Sequence, residues 1–463
     1  MRTYFTNLLK QSTFLIVIIV LGSSFKHASK FFAGNYNYYV SPGGDVNGDG
    51  YADVLMSVFT SEFGVSKDGK VYLNYGTGSG LTQSPVWTGI CTQESANFGE
   101  AIANAGDVNA DGYADIIIGA PRFSNGEDNE GTVFVYYGSP DGLKKEHSWK
   151  AEGQQANAFF GTSVASAGDV NKDGYADIII GSHFYDNGET NEGKVFVYLG
   201  SANGLAKDPV WTAESNQVGA NFGKSVASAG DVNKDGYSDI LVGSPNYDNG
   251  QNNEGRAFIY LGSNMGLTSS PAWTGESNQA DANFGNSVAC AGDINGDNFS
   301  DIIIGANRFD EGKSNVGKIY VYLGASNSLS MYPDWSYTGN LMDGNLGISV
   351  AAAGDINGDG FGEIIIGSFN TNPQNPAGSA FVFSGSAKGM TNQLVEISIN
   401  NNPQVQVGQS VSTAGDINGD GYADVVAGVI WDKNNQGPGK AMLIQGSSNG
   451  LKLGADKKPV PFQ

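Results

Sequence analysis

The chain has 463 residues, 67 of them glycine, and a formal net charge of -22. That acidity argues against nucleic acid or an anionic membrane as a partner, because both repel a carboxylate-rich surface. Gly is high but shows no collagen-like period and no long low-complexity tract.

The N-terminus reads as a secretion signal over residues 1–29. Arg2 and Lys10 precede an apolar core from Phe14 to Leu21, followed by Gly22, Ser23 and Ser24. The core is too short to span a bilayer, and cleavage is expected near Ser24 or Ser29. No other segment reads as membrane-inserting.

From residue 35 onward the pattern Asp-x-Asn-x-Asp-Gly-x-x-Asp recurs seven times, starting at Asp45, Asp107, Asp169, Asp231, Asp293, Asp355 and Asp416. Five gaps are 62 residues and the last is 61. A fixed period of this length marks a repeated structural unit, which overrides the several domains that length alone suggests. The units divide the chain at about 35–96, 97–158, 159–220, 221–282, 283–344, 345–405 and 406–463.

In the third unit, Ser163 to Gly168 is a run of small residues suited to a crowded strand near a central axis. The acidic loop follows, then Ile178-Ile179-Ile180-Gly181, a polar stretch, and Lys194 to Gly200. In that last run Val195, Val197 and Leu199 point one way, and Phe196 and Tyr198 the other. Both faces are apolar, so the sheet is covered on both sides. A fourth strand starts at Pro209, with equivalents at Pro85, Pro271 and Pro333. Proline is tolerated at sheet edges, which places this strand outermost. Trp87, Trp149, Trp211, Trp273 and Trp335 recur at 62 residues and read as structural anchors. Four short strands with a narrow inner one describe a propeller blade, so the expected fold is all-β: a seven-bladed β-propeller of four-stranded antiparallel blades. A dockerin-like arrangement of loops before helices does not suit the β-branched runs that end in Gly.

Positions 1, 3, 5 and 9 of each loop supply side-chain oxygens and position 7 a carbonyl, the hard-oxygen set that Ca²⁺ prefers. The expected ligands are Asp45, Asn47, Asp49, Tyr51 and Asp53 in the first loop, and Asp107, Asn109, Asp111, Tyr113 and Asp115 in the second. Next come Asp169, Asn171, Asp173, Tyr175 and Asp177, then Asp231, Asn233, Asp235, Tyr237 and Asp239. The fifth loop offers Asp293, Asn295, Asp297, Phe299 and Asp301, the sixth Asp355, Asn357, Asp359, Phe361 and Glu363. The seventh has Asp416, Asn418, Asp420, Tyr422 and Asp424. Three carboxylates in one small turn repel by about 0.8 kcal/mol per pair even at water's dielectric, so loops without counterions would oppose their own folding. Zn²⁺ would call for His or Cys, and no loop has either. Asn298 replaces Gly at position 6 of the fifth loop and is expected to hold the left-handed backbone there. Glu363 in place of Asp is expected to weaken or reshape the sixth site.

The same units resemble the FG-GAP repeat family, whose best-known member is the propeller of integrin α-subunits. The naming motif stands at Phe98-Gly99, Phe160-Gly161, Phe222-Gly223 and Phe284-Gly285, with Gly119-Ala120-Pro121 after a second strand. It weakens to Leu346-Gly347, Val407-Gly408 and Tyr36-Asn37. No leg domain, membrane span or cytoplasmic tail is read after the repeats, so a free-standing integrin-like propeller is expected, and the resemblance implies that its partners bind on the rim opposite the acidic loops. It also implies that an N-terminal strand completes the last blade, but here Lys458 to Phe462 is similar to Asp208 to Trp211 and is expected to do so rather than Lys30 to Gly34.

The opposite rim collects the loops 59–69, 121–131, 183–193, 245–255, 307–316, 369–378 and 430–439. Phe123, Tyr185, Tyr247 and Phe309 recur four residues after the strand-two Gly, with Phe369 and Trp431 nearby in the last two units. These six are the candidate contacts for a protein or glycan ligand; the alternative is that they pack between blades and pin the loops. No catalytic set is legible. His27, His147 and His183 stand alone, and Gly446-Ser447-Ser448-Asn449-Gly450 matches a nucleophile elbow only in letters, at a place where other units have a turn. Glu94, Glu214 and Glu276 in the connectors leave room for a carbohydrate-cleaving pair. Cys91 and Cys290 lie in units that are not ring neighbours, so no disulfide is expected; Cys290, in a serine slot, reads as a small buried filler. The reading is a secreted, extracellular, periplasmic or cell-surface recognition module for adhesion; the competing one is an extracellular polysaccharide lyase or hydrolase.

Overall fold

A computed structural model describes residues 36–60, 69–326, 329–370, 378–398, 405–431 and 440–452. Those residues form strands and turns only, in seven antiparallel sheets whose strands follow chain order. Six sheets have four strands, and the seventh has three among the described residues. The segments 1–35 and 453–463, with the leader and both candidate closing strands, lie outside the described residues.

Blade three shows how each unit folds. Ser163–Gly168 pairs with Asp177–Ser182, that with Lys194–Tyr198, and that with Trp211–Glu214. Small residues dominate the innermost strand of this blade, whereas that of blade one, Tyr36–Gly44, brings in Tyr39 and Val40. The outermost strand begins at Trp211, two residues later than Pro209 suggests. Glu214 and Glu276 end these outer strands rather than lying in connectors, where they pair with Lys194 at 3.5 Å and Arg256 at 2.9 Å.

The alternation along strand three decides what fills the gaps between blades. Phe196 and Tyr198 join Ile178 and Ile180 against Val133 and Val135 of blade two. Val195 and Val197 join Ile179 against Val242 and Tyr260 of blade four. Seven such cores separate seven blades, and the last sets Val54 and Met56 against Val426 and Leu443, which closes the disc between blades seven and one. The five Trp that recur at 62 residues each span to the next blade. Trp273 lies edge-on to Tyr322 at 4.8 Å and its Nε1–H donates to the Ser330 carbonyl at 2.9 Å. Trp87, Trp149 and Trp211 repeat this at Lys144, Ala206 and Thr268, and Trp335 reaches Asn392 Oδ1 at 3.2 Å.

Neither cysteine is part of a disulfide. Cys290 is half-buried rather than buried and works as an acceptor: its Sγ receives the Gly292 N–H at 3.4 Å, as the Ser166 and Ser228 hydroxyls receive Gly168 and Gly230. The elbow-like Ser447 bridges its own turn, donating to the Gly450 carbonyl as Ser201 does to Gly204.

Candidate functional site

Seven acidic turns occupy one rim. Each begins after a β-bulge at a glycine with left-handed backbone, such as Gly168 at φ +73°, where an added Cβ would lie 2.3 Å from Ser238 Oγ. The bulge turns the position-9 side chain inward. Asp169 Oδ2 accepts the Gly174 N–H at 2.8 Å and its Oδ1 accepts Asp173 N–H at 3.0 Å. Asn171 Nδ2 donates to Asp173 Oδ2 at 2.9 Å, and Asp173 Oδ1 accepts the Tyr175 N–H at 3.1 Å. The oxygens of positions 1, 3 and 5 thus share one exposed turn. Position 6 is left-handed in every loop, including Asn298 at φ +65°, and position 4 is left-handed too, even at Ala110, Lys172 and Lys234.

Position 9 differs from the others. Asp53, Asp115, Asp177, Asp239, Asp301, Glu363 and Asp424 have no exposed surface. Asp177 accepts the Val170 N–H on Oδ2 and the Gly200 N–H on Oδ1, both at 2.9 Å, and so ties the loop to the turn after strand three. Burial pushes its carboxyl up to about 7 against the pull of those two amides, and Asp173 and Asp169 add to the rise. The other five aspartates sit at about 7 for the same reasons. Glu363, also at about 7 through burial, uses its extra length differently: Oε1 lies 3.3 Å from Asn357 Nδ2, a donor that the first five loops direct to position 5. Among the described residues the only cationic side chain paired with a loop carboxylate is Lys452, 3.1 Å from Asp420 Oδ2.

No three His, Cys, Asp or Glu side chains are drawn together as a metal site among the described residues. The donor set still suits a hard cation. It consists of oxygen alone, mixes carboxylate, carboxamide and carbonyl, and includes a buried carboxyl with no cationic neighbour to favour its charged form.

The loops are also joined to each other. The position-8 N–H of each donates to the position-1 carbonyl of the preceding loop: Ala114 to Asp45, Ala176 to Asp107, Ser238 to Asp169, Ser300 to Asp231, Gly362 to Asp293, Ala423 to Asp355, and Ala52 to Asp416 to close the circle, all within 2.9–3.1 Å.

On the opposite rim, Phe123, Tyr185, Tyr247 and Phe309 are half-buried and pack on the third strand of their own blade, against Phe134, Phe196, Phe258 and Tyr320. Lys194, Arg256 and Lys318 cap three of them at 4.8–5.0 Å from the ring centroid. Phe369 ends a second strand, half-buried, and its carbonyl accepts from Asn345 Nδ2 at 3.2 Å. Trp431 ends the second strand of blade seven, paired with Val405, and its side chain lies outside the described residues, as do loop segments 61–68, 371–377 and 432–439. His147 is exposed and lies edge-on to Phe134 at 5.2 Å, whereas His183 is buried.

A closed disc of antiparallel blades with one acidic turn per blade defines a repeat β-propeller. The FG-GAP repeat model matches residues 98–136, 160–198, 222–260, 284–322, 346–383 and 407–440, and the chain is an FG-GAP repeat protein resembling the integrin α propeller. It is 38% identical to integrin alpha-6 of Gallus gallus over 155 residues, 32% of this chain and 14% of that one. Integrin alpha-3 of Cricetulus griseus is 36% identical over 178 residues, 37% of this chain and 16% of the relative. Integrin alpha-5 of Xenopus laevis is 30% identical over 246 residues, 51% and 22%. The aligned part is therefore less than a quarter of these relatives' length. No helix among the described residues is long and apolar enough to cross a membrane.

Proposed function

We propose that this chain is a secreted, calcium-binding recognition propeller that engages a protein or glycan partner through the rim opposite its acidic turns. The observation that carries it is the union of an integrin-like fold with seven oxygen-only loops confined to one rim. Positions 1, 3, 5 and 9 and the position-7 carbonyl of each loop would hold the ion. When bound, calcium supplies the positive charge that the buried position-9 carboxyl lacks, and fixes the turn that joins strands one and two. The blades then stand as a rigid frame, and chemistry that varies from blade to blade is left to the other rim. The integrin relatives favour adhesion over catalysis, and the N-terminal apolar segment favours export.

The test is capture of immobilised glycans and extracellular proteins by the calcium-loaded chain, run beside an assay for newly released sugar ends. Stable, chelator-sensitive capture without turnover supports recognition. Turnover without a stable complex would establish the polysaccharide-acting enzyme instead.

A further inference from the structure

We propose that the rim opposite the acidic turns holds a pocket for a carboxylated sugar, a hexuronate unit of a glycan, built from Phe159, His183, Phe184, Lys224 and Arg122; this deepens the recognition reading above and rests on it.

The signal is a break in the repeat that costs conformational strain. The residue two places before the Gly of the naming motif has left-handed backbone in five blades: Asn97 at φ +54°, Phe159 at +53°, Asn221 at +56°, Asn283 at +55° and Asn345 at +45°. Asparagine tolerates that region, and a bulky aromatic does so only at a steric cost. The asparagines also work as hydrogen-bond donors: Asn97 Nδ2 to Glu100 Oε2, Asn283 Nδ2 to the Pro245 carbonyl, Asn345 Nδ2 to the Phe369 carbonyl. Phe159 gives up both the easy backbone and the donor. Strain of this kind gathers where a binding surface demands it.

The neighbours of Phe159 depart from the repeat as well. His183 stands where Pro121 and Pro245 stand in adjacent blades, and Phe184 where Arg122 and Asn246 stand. The three rings form one cluster. His183 stacks on Phe159 at 6.3 Å and 27° and lies 4.0 Å from Phe184, which meets Phe159 edge-on at 5.5 Å. Phe159 and Phe184 are half-buried, so part of each ring faces solvent. The Arg122 guanidinium lies 5.4 Å over the Phe159 ring.

Two further groups give the cluster a polar purpose. His183 is only 8% exposed, and its Nδ1 has no hydrogen-bond partner among the described residues. Burial, and then Lys224, hold its imidazole well below the usual range, so it is neutral and free to donate to or accept from a ligand. Lys224 follows the naming motif of blade four, half-buried, and forms no side-chain hydrogen bond or ion pair among the described residues. Burial lowers the Lys224 ammonium from its ordinary range, and the field of Glu100, held by Asn97, works against that.

An unpaired ammonium, a guanidinium and a buried neutral imidazole beside solvent-facing rings select an oxyanion carried on a body with a flat apolar face. A hexuronate has that chemistry: the carboxylate meets Lys224 and Arg122, and the C–H face of the pyranose lies on Phe184, which Phe159 and the Arg122 above it hold in place. An acidic peptide would use the cations and leave the rings unused.

The experiment is calorimetric titration of the calcium-loaded full chain with trigalacturonate, its methyl ester and hexaglutamate. The expected result is binding of trigalacturonate, at least tenfold weaker for the ester and for hexaglutamate, and at least tenfold weaker for trigalacturonate in the Lys224→Met and Phe159→Asn variants. Phe159→Asn restores the residue that other blades use, so its melting temperature should equal or exceed that of the parent while its binding falls. Equal affinity for acid and ester, equal affinity for hexaglutamate, no binding of trigalacturonate by the parent, or unchanged binding in Lys224→Met overturns the pocket. Capture of neutral glycans or proteins that Lys224→Met leaves intact would overturn it too, and leave the recognition reading standing.

Discussion

Asn298 shows how narrow the demands on single residues are. It sits at φ +65° where six other loops have Gly, and its N–H donates to Asp293 Oδ2 at 2.8 Å. Asn298→Val forces a β-branched side chain into that region and should cost about 1–2 kcal/mol; Asn298→Gly should be close to neutral. Thermal melts of the two variants in calcium check this, and equal melts would contradict it. The position-9 carboxyls give a pH dependence. Their folded value of about 7 lies above the ordinary aspartate value of 3.8, so an ion-free protein is most stable where they are protonated in both states and loses stability as pH rises towards and through 7. In chelator, the melting temperature should fall between about pH 4 and pH 8; in calcium the charged form is matched and the fall should disappear. A chelated protein that gains stability over that range would refute the sign. At this scale the loop pattern was legible because its spacing is local. The two backbone bonds of Asp177 were not, since Gly200 is 23 residues away and meets it only through the fold. The left-handed position 4 was hidden by Ala110, Lys172 and Lys234, which carry no glycine signature.

Blades are held to one another by side chains that reach across the gap, and the tryptophans are the clearest of these. Trp273 is buried, edge-on to Tyr322 and bonded to the Ser330 carbonyl. Trp273→Ala should cost roughly 3–5 kcal/mol. Trp273→Phe keeps a ring and loses the N–H, so it should cost about 1 kcal/mol from the hydrogen bond with a smaller packing loss. Denaturant titrations with unchanged slope distinguish the two, and an alanine variant no less stable than the phenylalanine one would exclude the anchor role. The period-two alternation of Val195, Phe196, Val197 and Tyr198 was legible because a strand has only two faces. The direction of Phe123, Tyr185, Tyr247 and Phe309 was not. Recurrence shows that a ring is used, and only the path of its loop shows that it folds back on its own third strand, where Phe123, Tyr247 and Phe309 also pack against the cores between blades.

For the whole disc, seven similar units carry no information about which pair meets last. The structure closes it between blades seven and one, through the Val54–Val426 core and the Ala52 to Asp416 bond. Seven sites filled at ten times their dissociation constant would add about 10 kcal/mol in total, comparable to the whole stability of a typical domain. Chelation should therefore lower the melting temperature by tens of degrees, and an unchanged melt would rule out calcium as the support of the fold. Because each loop's first carbonyl is bonded to the next loop, the sites should fill cooperatively, visible as a Hill coefficient above one in a calcium titration followed by tyrosine fluorescence. The confinement of 21 loop acids to one rim has an electrical consequence. The disc has a front and a back in any field: near an anionic cell wall or membrane its acidic side is pushed outward and the variable side is left facing the surface. The ion content of the medium sets how strongly it is turned, so the same molecule would lie oriented in dilute buffer and tumble freely in concentrated salt.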